Sequence, residues 1–300
     1  MRTFKKGATM FKTLATMSLA AGIAVATFGT ALAADKAPVK IGWAAWSDAE
    51  FVTKLAAKLI KDELGQEVEL VQTDVAPLYQ GVARGDLDAM MMAWLPETHA
   101  DYFARVKDKV TTLGTVYDGA KLGWVVPKYI PEDAIASIED LKKDDVKDKL
   151  KGRVEGIDPG AGLTRLSEQA VKDYGLDGYK LQISSEAGML TTVDRAFRKE
   201  EWFVATSWSP HWMFGKYELR YIDDPKGALG KAEHVDILAR KDFQKDNPEV
   251  AAFLSRMKLP IGDLEAAMFD AQETSYEKAV DKYIAGHPDQ IKAWLAKEDG

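Results

Sequence analysis

Strand and helix signals alternate along this chain in two successive blocks, and that alternation restricts it to an α/β architecture. "VKIGWAAW" (39–46) reads as a buried strand. Ser47 with Glu50 three residues on reads as a capping box opening a helix. Phe51, Leu55, Leu59 and Ile60 recur at helical spacing, and the helix stops near Gly65. "EVELVQTD" (67–74) alternates as a strand, "PLYQGVARG" (77–85) is a short helix, and "LDAMMMAW" (87–94) is a third strand. Pro96 suits the first turn of a further helix running to about Lys107.

"GAKLGWVVPKYI" (119–130) reads as a strand ended by Pro127, after which the alternation restarts. "GRVEGID" leads into "PGAG" and a helix, "YKLQISS" into another helix, and "WFVATSW" into Ser209-Pro210. "ELRYIDD" and "AEHVDILARKDF" (232–243) are strand-like, and the tail is helical, with Asn247 and Pro248 as a helix start. No internal repeat is visible. The blocks cover about 37–118 and 125–235. Strands 119–127 and 232–243 lack intervening helices and are expected to cross between two lobes, the tail returning to the first. A single doubly wound domain is the alternative architecture.

The first 33 residues read as an export leader. Arg2, Lys5, Lys6 and Lys12 form a basic start, 14–30 is apolar, and Ala31 and Ala33 fit a cleavage site before Ala34. The leader carries those four basic residues and no acid, so its removal takes the formal charge from −7 to −11 over 267 residues. So acidic a chain is not expected to bind nucleic acid or an anionic membrane surface. With no cysteine, disulfides, zinc thiolates and thiol nucleophiles are excluded. His99, His211, His234 and His287 show no metal-ligand spacing, and neither metal nor cofactor is expected.

Trp46, Trp94 and Trp208 each fall at the end of a predicted strand, and together they come from both blocks. In open α/β sheets ligands bind at the carboxyl ends of strands, so three rings are placed to converge in a cleft. Packing in separate cores is the other reading, since tryptophan is mostly buried wherever it stands. Ring faces attract a cation that needs no hydrogen bonds, at roughly 0.5–2 kcal/mol per contact, and quaternary ammonium suits them best. A primary ammonium would leave N–H donors unpaired there, at about 1–3 kcal/mol each. Sugars also stack on rings.

"AWLPETH", "GIDPGAG", "SSEAGML", "TSWSPHWMFGKYEL" and "ILARKDF" together resemble the substrate-binding proteins of glycine betaine/proline betaine/choline ABC importers, over nearly the whole chain after the leader. The resemblance implies an α/β, two-lobe periplasmic-binding-protein fold of the class II type, with two hinge strands and a ligand cleft between lobes. The expected division is 34–120 plus 241–300 for one lobe and 121–240 for the other. It also implies a periplasmic, monomeric, non-enzymatic protein that delivers its ligand to an ABC permease of the inner membrane. The ligand class is a quaternary ammonium compatible solute, glycine betaine first, with choline, carnitine and dimethylsulfoniopropionate as alternatives.

Trp94 and Trp208 match walls of the family's aromatic box. Some betaine-binding members place a third tryptophan where this chain has Ala161, and others near Leu259. Choline-binding members place an aromatic where Trp46 stands, an acid at Asp48 and a tyrosine at Leu122. Trp46, Trp94 and Trp208 are therefore the expected box, with Trp43 and Trp124 as lesser candidates; Trp124 shares Leu122's face by strand periodicity. Asp48 reads either as an acid in a first helical turn or as a polar contact to the ligand. The amides of Ala161, Gly162 and Leu163, where a strand turns into a helix, are expected to face a carboxylate, although an ordinary tight turn reads equally well there. His99 is the matching histidine and His211 its alternative. An exported hydrolase is the rival class. Its one signal, "SYEK" at 275–278, lacks partner motifs.

Overall fold

The computed structural model describes residues 36–296, so the expected leader and its cleavage site lie outside the described residues. Nine strands run through these residues: β1 (Val39–Trp43), β2 (Val68–Gln72), β3 (Ala89–Leu95), β4 (Val110–Pro127), β5 (Arg153–Glu155), β6 (Lys180–Gln182), β7 (Ala205–Ser209), β8 (Leu219–Tyr221) and β9 (Glu233–Arg240). They hydrogen-bond in the order β2-β1-β3-β9-β4-β7-β5-β6, with β8 beside β4. The pairs β2-β1-β3 and β7-β5-β6 are parallel, and helices form their crossovers; β9 is antiparallel to both β3 and β4.

The path is continuous because β4 serves both halves. Residues 110–120 pair with β9, and 121–125 pair antiparallel with β7. The sequence predicts a strand only from 119. Three register shifts, within 112–114, 115–117 and 118–120, break the in-out alternation of the earlier half and hide it from a period-two reading. β9 bonds only to β3 and to the first half of β4, so the chain has already returned to the first sheet by Glu233. Two apolar cores flank the seam. The larger joins the first sheet to the helix Ser47–Leu64 and the tail helices, through residues such as Phe51, Leu55, Met90 and Phe253. The smaller gathers Trp124, Val126, Val154, Tyr174 and Ile222 around the second sheet. Trp208, Trp212 and Leu163 belong to the larger core, so apolar packing is unbroken across the cleft and the lobes are shut.

Local rules explain most of the elements, and contacts distant in the sequence accompany the departures. The helix Ser47–Leu64 buries Phe51, Leu55, Leu59 and Ile60 and ends at Gly65 with φ 64°, the left-handed cap that glycine adopts freely. It has no capping box: its N-cap residue is Trp46, and the Ser47 side chain is engaged elsewhere. β1 correspondingly ends at Trp43 instead of Trp46. The expected helix from Pro96 to Lys107 is a short one, Ala100–Ala104. Its preceding loop is held by Glu233, which accepts the Glu97 N–H at 2.5 Å and the Thr98 N–H at 3.0 Å. Ser275 of "SYEK" accepts the Lys278 N–H at 3.3 Å as the N-cap of Tyr276–Gly286, so that motif is a helix start.

Candidate functional site

Two strand ends and one helix start deliver three indoles to one point. Trp46 caps the helix that follows β1, Trp94 is the penultimate residue of β3, and Trp208 is the penultimate residue of β7. With Leu122 and Ile157 they wall a cavity of about 290 Å³. Leu122 stands opposite Trp208 in the β4–β7 register. Asp48, Thr98 and His99 supply polar groups, and Ala161, Gly162 and Leu163 close the far side. Every lining residue except Leu122 is buried.

Two of the indole N–H groups fix their rings by bonding across the cleft. Trp208 Nε1 donates to Asp48 Oδ1 at 3.1 Å, and Trp46 Nε1 donates to Asp158 Oδ2 at 2.9 Å. Each ring from one lobe is thus oriented by a carboxylate of the other. Trp94 meets Tyr117 edge-on, with centroids 6.3 Å apart. Tyr117 Oη also donates to Asp48 Oδ2 at 2.5 Å. Burial pushes the Asp48 carboxyl up from its ordinary value; the Tyr117 hydrogen bond opposes that rise, and the nearby Glu186 charge reinforces it. Asp48 therefore holds Trp208 and Tyr117 while also lining the cavity.

His99 is wholly buried, and its Nδ1 accepts the Trp94 N–H at 3.2 Å. Burial, helped by the Arg165 charge, lowers its pKa to about 3, so the ring is neutral with its proton on Nε2. A depressed folded pKa contributes stability that is present above the unfolded value near 6.5 and is lost as pH falls toward 3. The full window is worth roughly 5 kcal/mol as an order of magnitude. Urea unfolding from pH 7 to pH 4 is expected to show a steep acid loss that flattens in His99→Gln.

The segment after β5 brings the helix Gly162–Asp173 to the cavity by its N-terminus. The amides of Gly162 and Leu163 have no protein acceptor among the described residues, as the first helical turn requires. Ala161 corrects the expected set: its N–H donates to Asp158 O at 3.0 Å, so only its methyl faces the cavity. Gly162 packs directly against Thr98 across the cleft. A Cβ there would lie 2.3 Å from Thr98 O and 2.5 Å from Thr98 Cγ2.

Trp46, Trp94, Trp208, Asp48, His99, Ala161, Gly162 and Leu163 are thus brought together, and three lesser candidates are not. Trp124 lies in the second core, where its Nε1 donates to Ser167 Oγ at 2.9 Å; the face it shares with Leu122 has by then turned into that lobe. Trp43 is half-buried at the end of β1, off the cavity. His211 packs edge-on against Trp208 from outside, at 4.5 Å between centroids, and its Nδ1 accepts the Met213 N–H at 3.0 Å. Sequence reasoning missed Thr98, Ile157 and Tyr117. Thr98 adjoins His99 within "AWLPETH" and was legible by adjacency, whereas Tyr117 stands among the β4 register shifts.

Two shut α/β lobes around a small aromatic cavity define a solute-binding protein of the periplasmic-binding-protein fold. Residues 37–286 match the family described as the substrate binding domain of ABC-type glycine betaine transport system, and the chain belongs to that family, which is not an enzyme class. It is 35% identical over 167 residues to the glycine betaine/carnitine transport binding protein GbuC of Listeria monocytogenes, covering 54% of this chain and 55% of that relative, little more than half its length. The crystal structure of lactococcal OpuAC, closed and complexed with glycine betaine, superposes with a TM-score of 0.79 at 34% identity. That match covers 87% of this chain and all of the other. An ABC-transporter choline binding protein in complex with choline superposes at 0.78, with 26% identity, over 88% and 94% of the two chains.

Proposed function

We propose that this protein captures a quaternary ammonium solute, glycine betaine first, and delivers it to an ABC permease without chemical change. The observation that carries the reading is the convergence of Trp46, Trp94 and Trp208, from one helix start and two strand ends, on one cavity. The trimethylammonium group rests against the ring faces, which ask no hydrogen bonds of it. The carboxylate takes the Gly162 and Leu163 amides at a helix N-terminus, with His99 Nε2–H alongside. The lobes divide near residue 120 and, because β9 already pairs within the first sheet, near 232 in place of the expected 240, with β4 and the entry to β9 as the two crossings. The protein is exported to the periplasm by its leader and works as a monomer, with no cofactor.

Choline is the second reading, and Asp48 favours it: a buried carboxylate lining the cavity suits a cation or a hydroxyl better than a zwitterion. Calorimetry against glycine betaine, proline betaine, carnitine, dimethylsulfoniopropionate and choline tests the choice. Glycine betaine is expected to bind more tightly than choline at pH 7. Retention of choline with loss of the carboxylate-bearing ligands would shift recognition from the amides to Asp48.

A further inference from the structure

A second polar cluster spans the cleft outside the cavity, and ligand contact does not account for it. Glu186 opens the helix Glu186–Arg198 of the second lobe and is only 4% exposed. Its Oε2 accepts the Ser47 N–H at 2.9 Å, and its Oε1 accepts the Ser47 hydroxyl. Ser47 Oγ in turn accepts the Trp212 N–H at 2.9 Å. His211 Nε2 lies 3.2 Å from Glu186 Oε1, out of hydrogen-bond alignment. Ser47, Glu186 and Trp212 are all absent from the cavity wall.

The geometry has a physical consequence. Ser47 is the first residue of the helix Ser47–Leu64, whose N-cap, Trp46, offers no side-chain acceptor. A helix start leaves its first N–H groups unpaired unless a neighbour accepts them. Here the acceptor comes from the opposite lobe. A buried carboxylate is tolerated only when hydrogen-bonded, and both Glu186 oxygens find their donors on Ser47. These bonds exist when the lobes are shut and are exchanged for water when they part.

We infer that Glu186 is a positioning residue that latches the closed state, by capping the first lobe's helix at Ser47 from across the cleft. A contact made only in the closed form raises the closed fraction and so the apparent affinity. Opening must break it, so its effect falls on ligand dissociation, whereas encounter with the open form is untouched.

The test uses the full chain in two readouts. With no native cysteine, spin labels at Lys107→Cys and Glu168→Cys, both exposed and on opposite lobes, report the inter-lobe distance specifically. Stopped-flow tryptophan fluorescence reports association and dissociation of glycine betaine. Glu186→Ala is expected to shift the distances toward open and to raise the dissociation rate about tenfold, as loss of a charged acceptor implies, with association within about threefold. Glu186→Gln, which keeps the shape, lies between and serves if the alanine variant folds poorly. Adding Ser47→Ala to Glu186→Ala costs only the remaining Trp212 N–H bond to Ser47 Oγ, so the double variant falls short of the two single effects combined. The rate measurement rests on the capture reading, but the distances do not. If the unsubstituted chain bound none of the onium ligands, the capture reading would fail and the ligand-free distances would still decide the latch. Distances matching the unsubstituted chain, or a variant that slows association while leaving dissociation alone, overturn the latch.

Discussion

Replacing Trp208 by alanine lowers the affinity for glycine betaine about a hundredfold or more. Two losses coincide. The ring face contributes roughly 0.5–2 kcal/mol to a desolvated onium group. Its N–H also donates to Asp48 Oδ1 at 3.1 Å, and a charged acceptor stripped of a donor in a buried site forfeits about 1.5–3 kcal/mol. Trp208→Phe keeps a face and drops the donor, so it falls between. Trp124→Ala is the internal control. That ring is wholly buried in the second core, so its loss lowers stability by about 3–5 kcal/mol, as for other large core deletions. Below its melting temperature the variant retains its affinity. Calorimetry for binding and calorimetric melting for stability separate the two outcomes.

Gly162→Ala produces the complementary result, with affinity reduced about a hundredfold and thermal stability nearly unchanged. The added methyl would meet the Thr98 carbonyl oxygen at 2.3 Å. That oxygen belongs to a backbone held in place, because Glu233 accepts the N–H groups of Glu97 and Thr98. The obstruction exists only between shut lobes. Parting them relieves it, so the variant stays folded and open, and forfeits the contacts that closure supplies. Small-angle scattering with saturating ligand is expected to show contraction in the unsubstituted chain and little in the variant. Contraction in both would mean that Thr98 yields.

The strand-end tryptophans were legible because hydrophobic runs, turn residues and the rule placing ligands at strand carboxyl ends are local signals. The same signals located β3, β7 and the helix Gly162–Asp173 to within a few residues. What escaped depends on partners far apart in the chain. The first half of β4 was hidden by its register shifts against β9. Ser47 looked like a cap for its own helix. Its hydroxyl instead bonds Glu186, 139 residues away, a preference set by tertiary packing alone. The Ala161 amide looked free because strand-to-helix turns usually expose three donors, but a turn bond to Asp158 removes one. Trp124 shows the limit of periodicity. It shares a strand face with Leu122 and both pack in the second core, yet only Leu122, two residues nearer the crossing, also reaches the cavity.

The central claim is that indoles from both lobes hold a methylated onium group by its charge as well as its shape. Titration calorimetry comparing glycine betaine with 3,3-dimethylbutanoate tests it most directly, since carbon replaces nitrogen and the volume and carboxylate are retained. The account expects the carbon analogue to bind at least tenfold more weakly, the ring faces having lost their cation. Equal affinity for the two would contradict it, leaving the cavity a shape-selective apolar box.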